Sequence, residues 1–242
     1  MKLFIALLLV FATLISCSNA QKKNDQNTET VEQSKSYKAW QKEAEKEIRL
    51  NPKYKNAVKT EAQKAADEQL IKSYETQEGS RRKGSERLVK IGFDYLYKGD
   101  LRTAMYRFNQ AWLLDSTDVN VYSGFASIYF SFQDYKRSIA LLDEGLAIDP
   151  NASGLLTDKA TNYIALSQSN HSKSDMERGL SLLKASYEID PLNQSTLYKL
   201  SVFYFEIKNC DMAVKYYKEC MKLGGSQIAQ GYSEALKTTC GI

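Results

Sequence analysis

The chain has 242 residues, 43% hydrophobic and 26% charged, which suits one core-forming domain with an additional arm. Its net charge of +4, from 33 basic and 29 acidic residues, is too small and too interspersed to point to a nucleic-acid partner. A single histidine and three prolines that sit where helical patterns stop (Pro52, Pro150, Pro191) speak against a histidine metal centre and for an all-α chain.

At the N-terminus Lys2 precedes a nearly continuous apolar run from Leu3 to Ile15. It is too short for a permanent membrane span and is placed as a signal-peptide core, so residues 1–16 are expected to be removed. The run ends in Leu14-Ile15-Ser16-Cys17, which resembles the lipobox of bacterial lipoproteins. The resemblance implies diacylglyceryl on the Cys17 sulfur, cleavage before it and acylation of the new amine, a multi-chain anchor. The competing reading is an ordinary secretory signal with a chance cysteine. Residues 17–36 then read as the lipidated cysteine and a polar tether rich in Asn, Gln, Lys, Ser and Thr. Ser18 in place of Asp implies, by similarity to enterobacterial sorting, the outer membrane. No acidic run follows Cys17, which suits a periplasm-facing position.

Residues 37–84 form a helical arm, with patterns over Tyr37–Leu50 and Tyr54–Tyr74 broken at Asn51-Pro52. The second pattern sets Tyr54, Val58, Ala62, Ala66, Leu70 and Tyr74 four apart, a narrow stripe that either caps the following repeats or projects toward a partner. Ser80-Arg81-Arg82-Lys83-Gly84 reads as a solvated linker, the alternative being a contact for phosphate or lipid headgroups.

From Ser85 the chain repeats at a period of 34, with further repeats starting at Val119, Ser153 and Gln194. The eleventh position is always tyrosine: Tyr95, Tyr129, Tyr163 and Tyr204. The eighth (Gly92, Ala126, Ala160, Ser201), twentieth (Ala104, Ser138, Gly179, Ala213) and twenty-seventh (Ala111, Gly145, Ser186, Cys220) are all small. Large residues fill the fourth (Leu88, Tyr122, Leu156, Leu197) and twenty-fourth (Phe108, Leu142, Leu183, Tyr217). Antiparallel helices approach closely only where crossing residues are small, so the pattern specifies stacked helical hairpins. With Gly99-Asp100-Leu101 at a hairpin turn and Asp149-Pro150 and Asp190-Pro191 at repeat ends, the chain resembles the tetratricopeptide repeat (TPR) family.

The fold expected is therefore an all-α TPR-type solenoid of about four repeats (85–118, 119–152, 153–193, 194–227) with an N-terminal arm and a capping helix over 228–242. The cap carries Ile228, Tyr232 and Leu236 at helical spacing. Repeat three has seven extra residues, assigned to a polar loop over Ser167–Asp175 that holds His171. It also has Lys159 at a seventh position that is apolar elsewhere, so either this lysine snorkels out or the packing is looser. If the second helix of repeat four and the cap run antiparallel about Gly224-Gly225, Cys210 and Cys240 come level, equally far from Gly225. A Cys210–Cys240 disulfide is expected, with Cys220 a buried free thiol.

The sequence offers no catalytic set, no GxGxxG, no Walker-type GxxxxGK[ST] and no converging metal ligands. A non-enzymatic protein without cofactor or metal is expected. The TPR resemblance places the first helix of each pair on a concave surface, where this chain supplies Phe93, Leu96, Tyr97, Phe130, Tyr198, Val202 and Phe205, with Glu86 and Glu206, and with Ser123, Ser127, Thr157 and Thr161 between. Phe93, Tyr97, Phe130, Tyr198 and Phe205 are the candidate partner-binding residues, and a groove of this kind suits a protein or peptide partner. The expected function is a lipid-anchored adaptor in the bacterial envelope, in outer-membrane assembly or secretion. The alternative is a lipoprotein that binds glycans or small ligands by aromatic stacking.

Overall fold

The computed structural model describes residues 36–241, so the expected signal peptide, Cys17 and the tether through residue 35 lie outside the described residues. Every regular element among the described residues is helical, and the chain divides into two compact units at Asp134/Tyr135, inside the second repeat. The first unit holds α1 (36–44), α2 (Glu61–Glu78), α3 (Arg81–Tyr97), α4 (Leu101–Leu114) and α5 (Val119–Ser131). The second holds α6 (Tyr135–Ile148), α7 (Ser153–Asn170), α8 (Lys173–Ile189), α9 (Gln194–Glu206), α10 (Cys210–Lys222) and α11 (Gln230–Cys240).

The 34-residue period recurs as hydrogen bonds. After the first helix of repeats one, two and four, the carbonyl of the repeated tyrosine accepts from the amide five residues on: Asp100 N to Tyr95 O at 3.0 Å, Asp134 N to Tyr129 O at 3.0 Å, Asn209 N to Tyr204 O at 2.8 Å. The intervening residues Gly99, Gln133 and Lys208 are left-handed, with φ of 81°, 60° and 60°. Each turn is a Schellman closure that satisfies the last carbonyls of one helix. Asp100 and Asn209 then accept from Thr103 N and Met212 N to cap the next helix. Between repeats, Asp115, Asp149 and Asp190 each accept from the amide two residues ahead, at 2.9, 2.9 and 3.1 Å.

All twelve small positions are buried, which places the helix crossings where the sequence spacing put them. In the first unit Phe108 of α4 fills the gap between α3 and α5, flat against Gly92 and Gly124. A Cβ at either glycine would fall inside contact distance of its ring. Gly84 lets α2 lean on α3 through Tyr74 in the same way.

Two local expectations change. The seven extra residues of repeat three form no loop: α7 runs to Asn170, α8 begins at Lys173, and only His171 and Ser172 connect them. Seven residues are about two helical turns, so one turn added to each antiparallel helix preserves the facing register. Lys159 reaches Asp143 of α6 at 2.5 Å, so this lysine leaves the apolar position along its own stem.

The arm also departs from its periodicity. Helix α2 starts only at Glu61, because Thr60 and Gln63 form a capping box there. Tyr54, expected in that helix, lies in a left-handed turn at Lys53–Asn56, with φ between 51° and 57°. Such backbone costs about 1–2 kcal/mol per residue. It is offset by burial of Leu50, Pro52 and Tyr54 and by Asn109 of α4, which donates to Arg49 O (2.8 Å) and Asn51 O (2.9 Å) and accepts from Tyr54 N (3.3 Å). Upstream, Tyr37 stacks on Phe132 at 4.8 Å and donates to Asp134, while Trp40 and Ala44 are buried beside them. The arm is thus a folded cap on α4 and the end of α5.

Candidate partner-binding surface

In the first unit the surface is built on α3. Phe93 packs edge-on against the buried Phe108 (5.2 Å) and carries Tyr97 beside it, 6.1 Å between centroids and near parallel. Leu96, expected with them, turns into the core, whereas Tyr97 is 64% exposed. The arm's contacts with Arg102, Tyr106, Asn109 and Phe132 leave Tyr97 open to solvent. On α5, Ser127 and Ser131 donate back to the carbonyls of Ser123 and Ser127, which makes a smooth, small-residue strip, and Phe130 at its end is half-buried.

In the second unit the matching surface is covered. Tyr232 of α11 lies edge-on to Tyr198 (5.5 Å) and Phe205 (5.6 Å), and its hydroxyl shares a 2.6 Å hydrogen bond with Ser201. Tyr198 is buried, Phe205 is half-buried, and burial pushes both the Tyr198 and Tyr232 hydroxyls above the usual phenol range. Tyr198 is therefore core under the capping helix and offers no surface to a partner. The spacing of Tyr232 with Ile228 and Leu236 predicts that it covers the apolar side of the last repeat; that this side includes the candidate residue Tyr198 is decided by the fold. Thr157, expected among the groove's polar residues, is 1% exposed and hydrogen-bonded to Ser186 (2.8 Å) and Thr196 (2.6 Å), a buried hydroxyl cluster between repeats three and four. Beside this surface, burial lowers the Lys199 pKa against the opposing pull of Asp158, and burial raises that of Glu206.

Cys210 and Cys240 are joined in a disulfide with 5.4 Å between Cα atoms, stapling the start of α10 to the end of α11. Cys220 is a buried free thiol donating to Gln194 O, and burial raises its pKa. Ser80–Gly84 is the N-cap and first turn of α3, not a linker. Arg81 pairs with Glu75 at 2.6 Å and Arg82 with Asp115 at 3.1 Å and Asp118 at 3.5 Å, so those guanidiniums are engaged within the fold. His171 caps α7 in left-handed backbone. Among the described residues no three His, Cys, Asp or Glu side chains group as metal ligands, and no helix is long and apolar enough to cross a membrane.

Residues 194–223, the hairpin of α9 and α10, match the family model described as tetratricopeptide repeat. No curated protein matches the chain. Among solved structures it is similar to a thermophilic TPR protein of Thermus thermophilus, at 16% identity and a TM-score of 0.53 over 64% of this chain and 79% of that one. MamA of Desulfovibrio magneticus RS-1 aligns at 14% identity and a TM-score of 0.43, over 81% of this chain and 98% of that one.

Proposed function

Starting from a chain with the fold of the tetratricopeptide-repeat proteins, we propose that it is a lipid-anchored scaffold of the bacterial envelope that holds a protein or peptide partner on the α3 surface. Helical-hairpin stacks of this kind serve typically as non-catalytic interaction scaffolds. The observation that carries the reading is Tyr97, a large aromatic left 64% exposed on a rigid helix and backed by Phe93. A Tyr or Trp side chain held in place by a neighbouring ring adds contact area at little entropic cost, the property of binding hot spots. The second unit's candidate aromatics, Tyr198 and Phe205, already pack against Tyr232, so the proposal rests on Phe93 and Tyr97, with Phe130 on α5.

The lipobox-like Leu14-Ile15-Ser16-Cys17 supports the anchor, Ser18 supports the outer membrane, and the sequence after Cys17, without an acidic run, supports repeats that face the periplasm. A photo-crosslinking residue in place of Tyr97, activated in intact cells, is expected to trap one dominant envelope protein. The same residue at exposed Lys184 on α8 should trap none. Equal recovery at the two positions would overturn the α3 surface as the binding face. Oligosaccharides are expected to leave the melting temperature unchanged, and a specific glycan that raises it would replace this reading with the sugar-binding one.

A further inference from the structure

The protein's positive charge is not spread along it. Residues 36–60 hold seven basic and three acidic side chains, whereas residues 61–242 hold 22 basic and 23 acidic. The acids of this segment are largely used up: Glu43 pairs with Arg102 of α4, and Glu47 with Arg49. Glu45 is the remaining acid and is exposed. Lys59, the last basic residue of the segment, is held by Asp67. Lys38, Lys42, Lys46 and Lys55 are all exposed and pair with no carboxylate among the described residues.

Their presentation is fixed. Tyr37, Trp40 and Ala44 put the inner face of α1 against Phe132 and its neighbours, which leaves Lys38 and Lys42, one turn apart, on the outer face. The Asn109 clamp and the left-handed turn hold Lys46 and Lys55 in the same folded arm. The segment follows the tether directly: nineteen residues lie between Cys17 and Tyr37, a reach of at most about 70 Å even when fully extended.

We propose that the outer face of this arm is a second membrane contact, an electrostatic surface for anionic phospholipid headgroups. This rests on the lipid anchoring proposed above. The anchor supplies attachment and leaves orientation open; the lysines would turn the arm toward the lipid. Single lysines near an anionic surface each contribute about fivefold in binding, and such contacts fade with salt within a Debye length.

The test uses the chain from residue 17 with Cys17→Ser, so that no acyl chain contributes. In sedimentation with phosphatidylcholine vesicles with and without phosphatidylglycerol, the protein should bind only the anionic vesicles, and high salt should release it. Lys38→Gln/Lys42→Gln/Lys46→Gln should lose about a hundredfold in binding with an unchanged helical spectrum, and Lys→Glu at the same positions should lose more. Charge reversal at Lys218, Lys222 and Lys237 should change nothing. Equal binding by both triple-Glu variants, no preference for anionic lipid, or equally tight retention on RNA would each overturn the proposal. The acylation of Cys17, read from the mass of the membrane-extracted protein, stands or falls separately.

Discussion

Single residues set the close approaches on which the helix stack depends. Phe108 sits between Gly92 and Gly124, and a methyl group at Gly124 has nowhere to go unless that ring moves. Gly124→Ala is expected to cost about 1–3 kcal/mol, read as a lowered midpoint in urea unfolding, despite alanine's better helix propensity. An unchanged or raised midpoint would show that the ring yields easily. A second residue-scale prediction concerns acid. Hydrogen bonds from Arg49 hold the Glu47 carboxyl down from its ordinary 4.5 to about 2. A carboxyl whose folded pKa is depressed contributes stability that is complete above its unfolded value and is lost as pH falls through the folded one. Glu47→Gln should therefore lower the melting temperature at pH 7, by progressively less between about pH 4.5 and 2, and not at all below that. A difference that persists at the lowest pH would exclude the ion pair as its source. Gly92 is legible in the sequence because the eighth position is small in every repeat, whereas Gly124 is singled out only by the placement of the Phe108 ring.

At the scale of elements, two attachments hold the ends of the fold. The Cys210–Cys240 bond closes a 30-residue separation, which in the chain-entropy picture is worth about 3–4 kcal/mol. Reduction should lower the melting temperature and raise amide exchange in α11 before α7 or α8, because the packing of Leu236 and Tyr232 and the Tyr232–Ser201 and Tyr217–Ser233 hydrogen bonds are then left to keep α11 in place without a covalent tie. Exchange rising evenly through the unit would show that α11 has no separate opening. At the other end, Asn109→Ala would take the clamp's donor from Arg49 O and leave Asn51 O and Tyr54 N with only their 3.2 Å bond to each other. A loss of about 2–4 kcal/mol is expected, with a red shift of tryptophan fluorescence as Trp40 meets water. A stable variant with unshifted emission would mean that burial alone holds the arm. The helices of the repeats were legible because small and large positions recur at fixed spacing. Within the arm the start of the second helix differs from the sequence expectation, because apolar residues at spacing four from Tyr54 are compatible with a helix that begins there, and the contact with Asn109 selects the left-handed turn instead.

For the whole molecule, the proposed location turns on one atom, the Cys17 sulfur. Cys17→Ser is expected to move the protein from the membrane fraction to the soluble fraction when membranes are washed in high salt, which also screens the arm's lysines, while leaving its folding unchanged, as read by fractionation and by helical content. Retention after that wash would overturn Cys17 as the anchor, and retention only at low salt would shift the weight to the arm's lysines. Sequence by itself determined the hairpin array, since a 34-residue alternation of small and large side chains has one economical packing solution, and it placed Cys210 level with Cys240. Tertiary structure alone decided which aromatics are surface and which are core. Tyr97, at the thirteenth position of its repeat, and Tyr198, at the fifth, both fall among the places expected to face the groove, yet α11 lays Tyr232 over Tyr198 while Tyr97 keeps most of its area in solvent. Periodicity fixes the side of a helix on which a residue lies, but burial depends on what else in the chain comes to rest against that side.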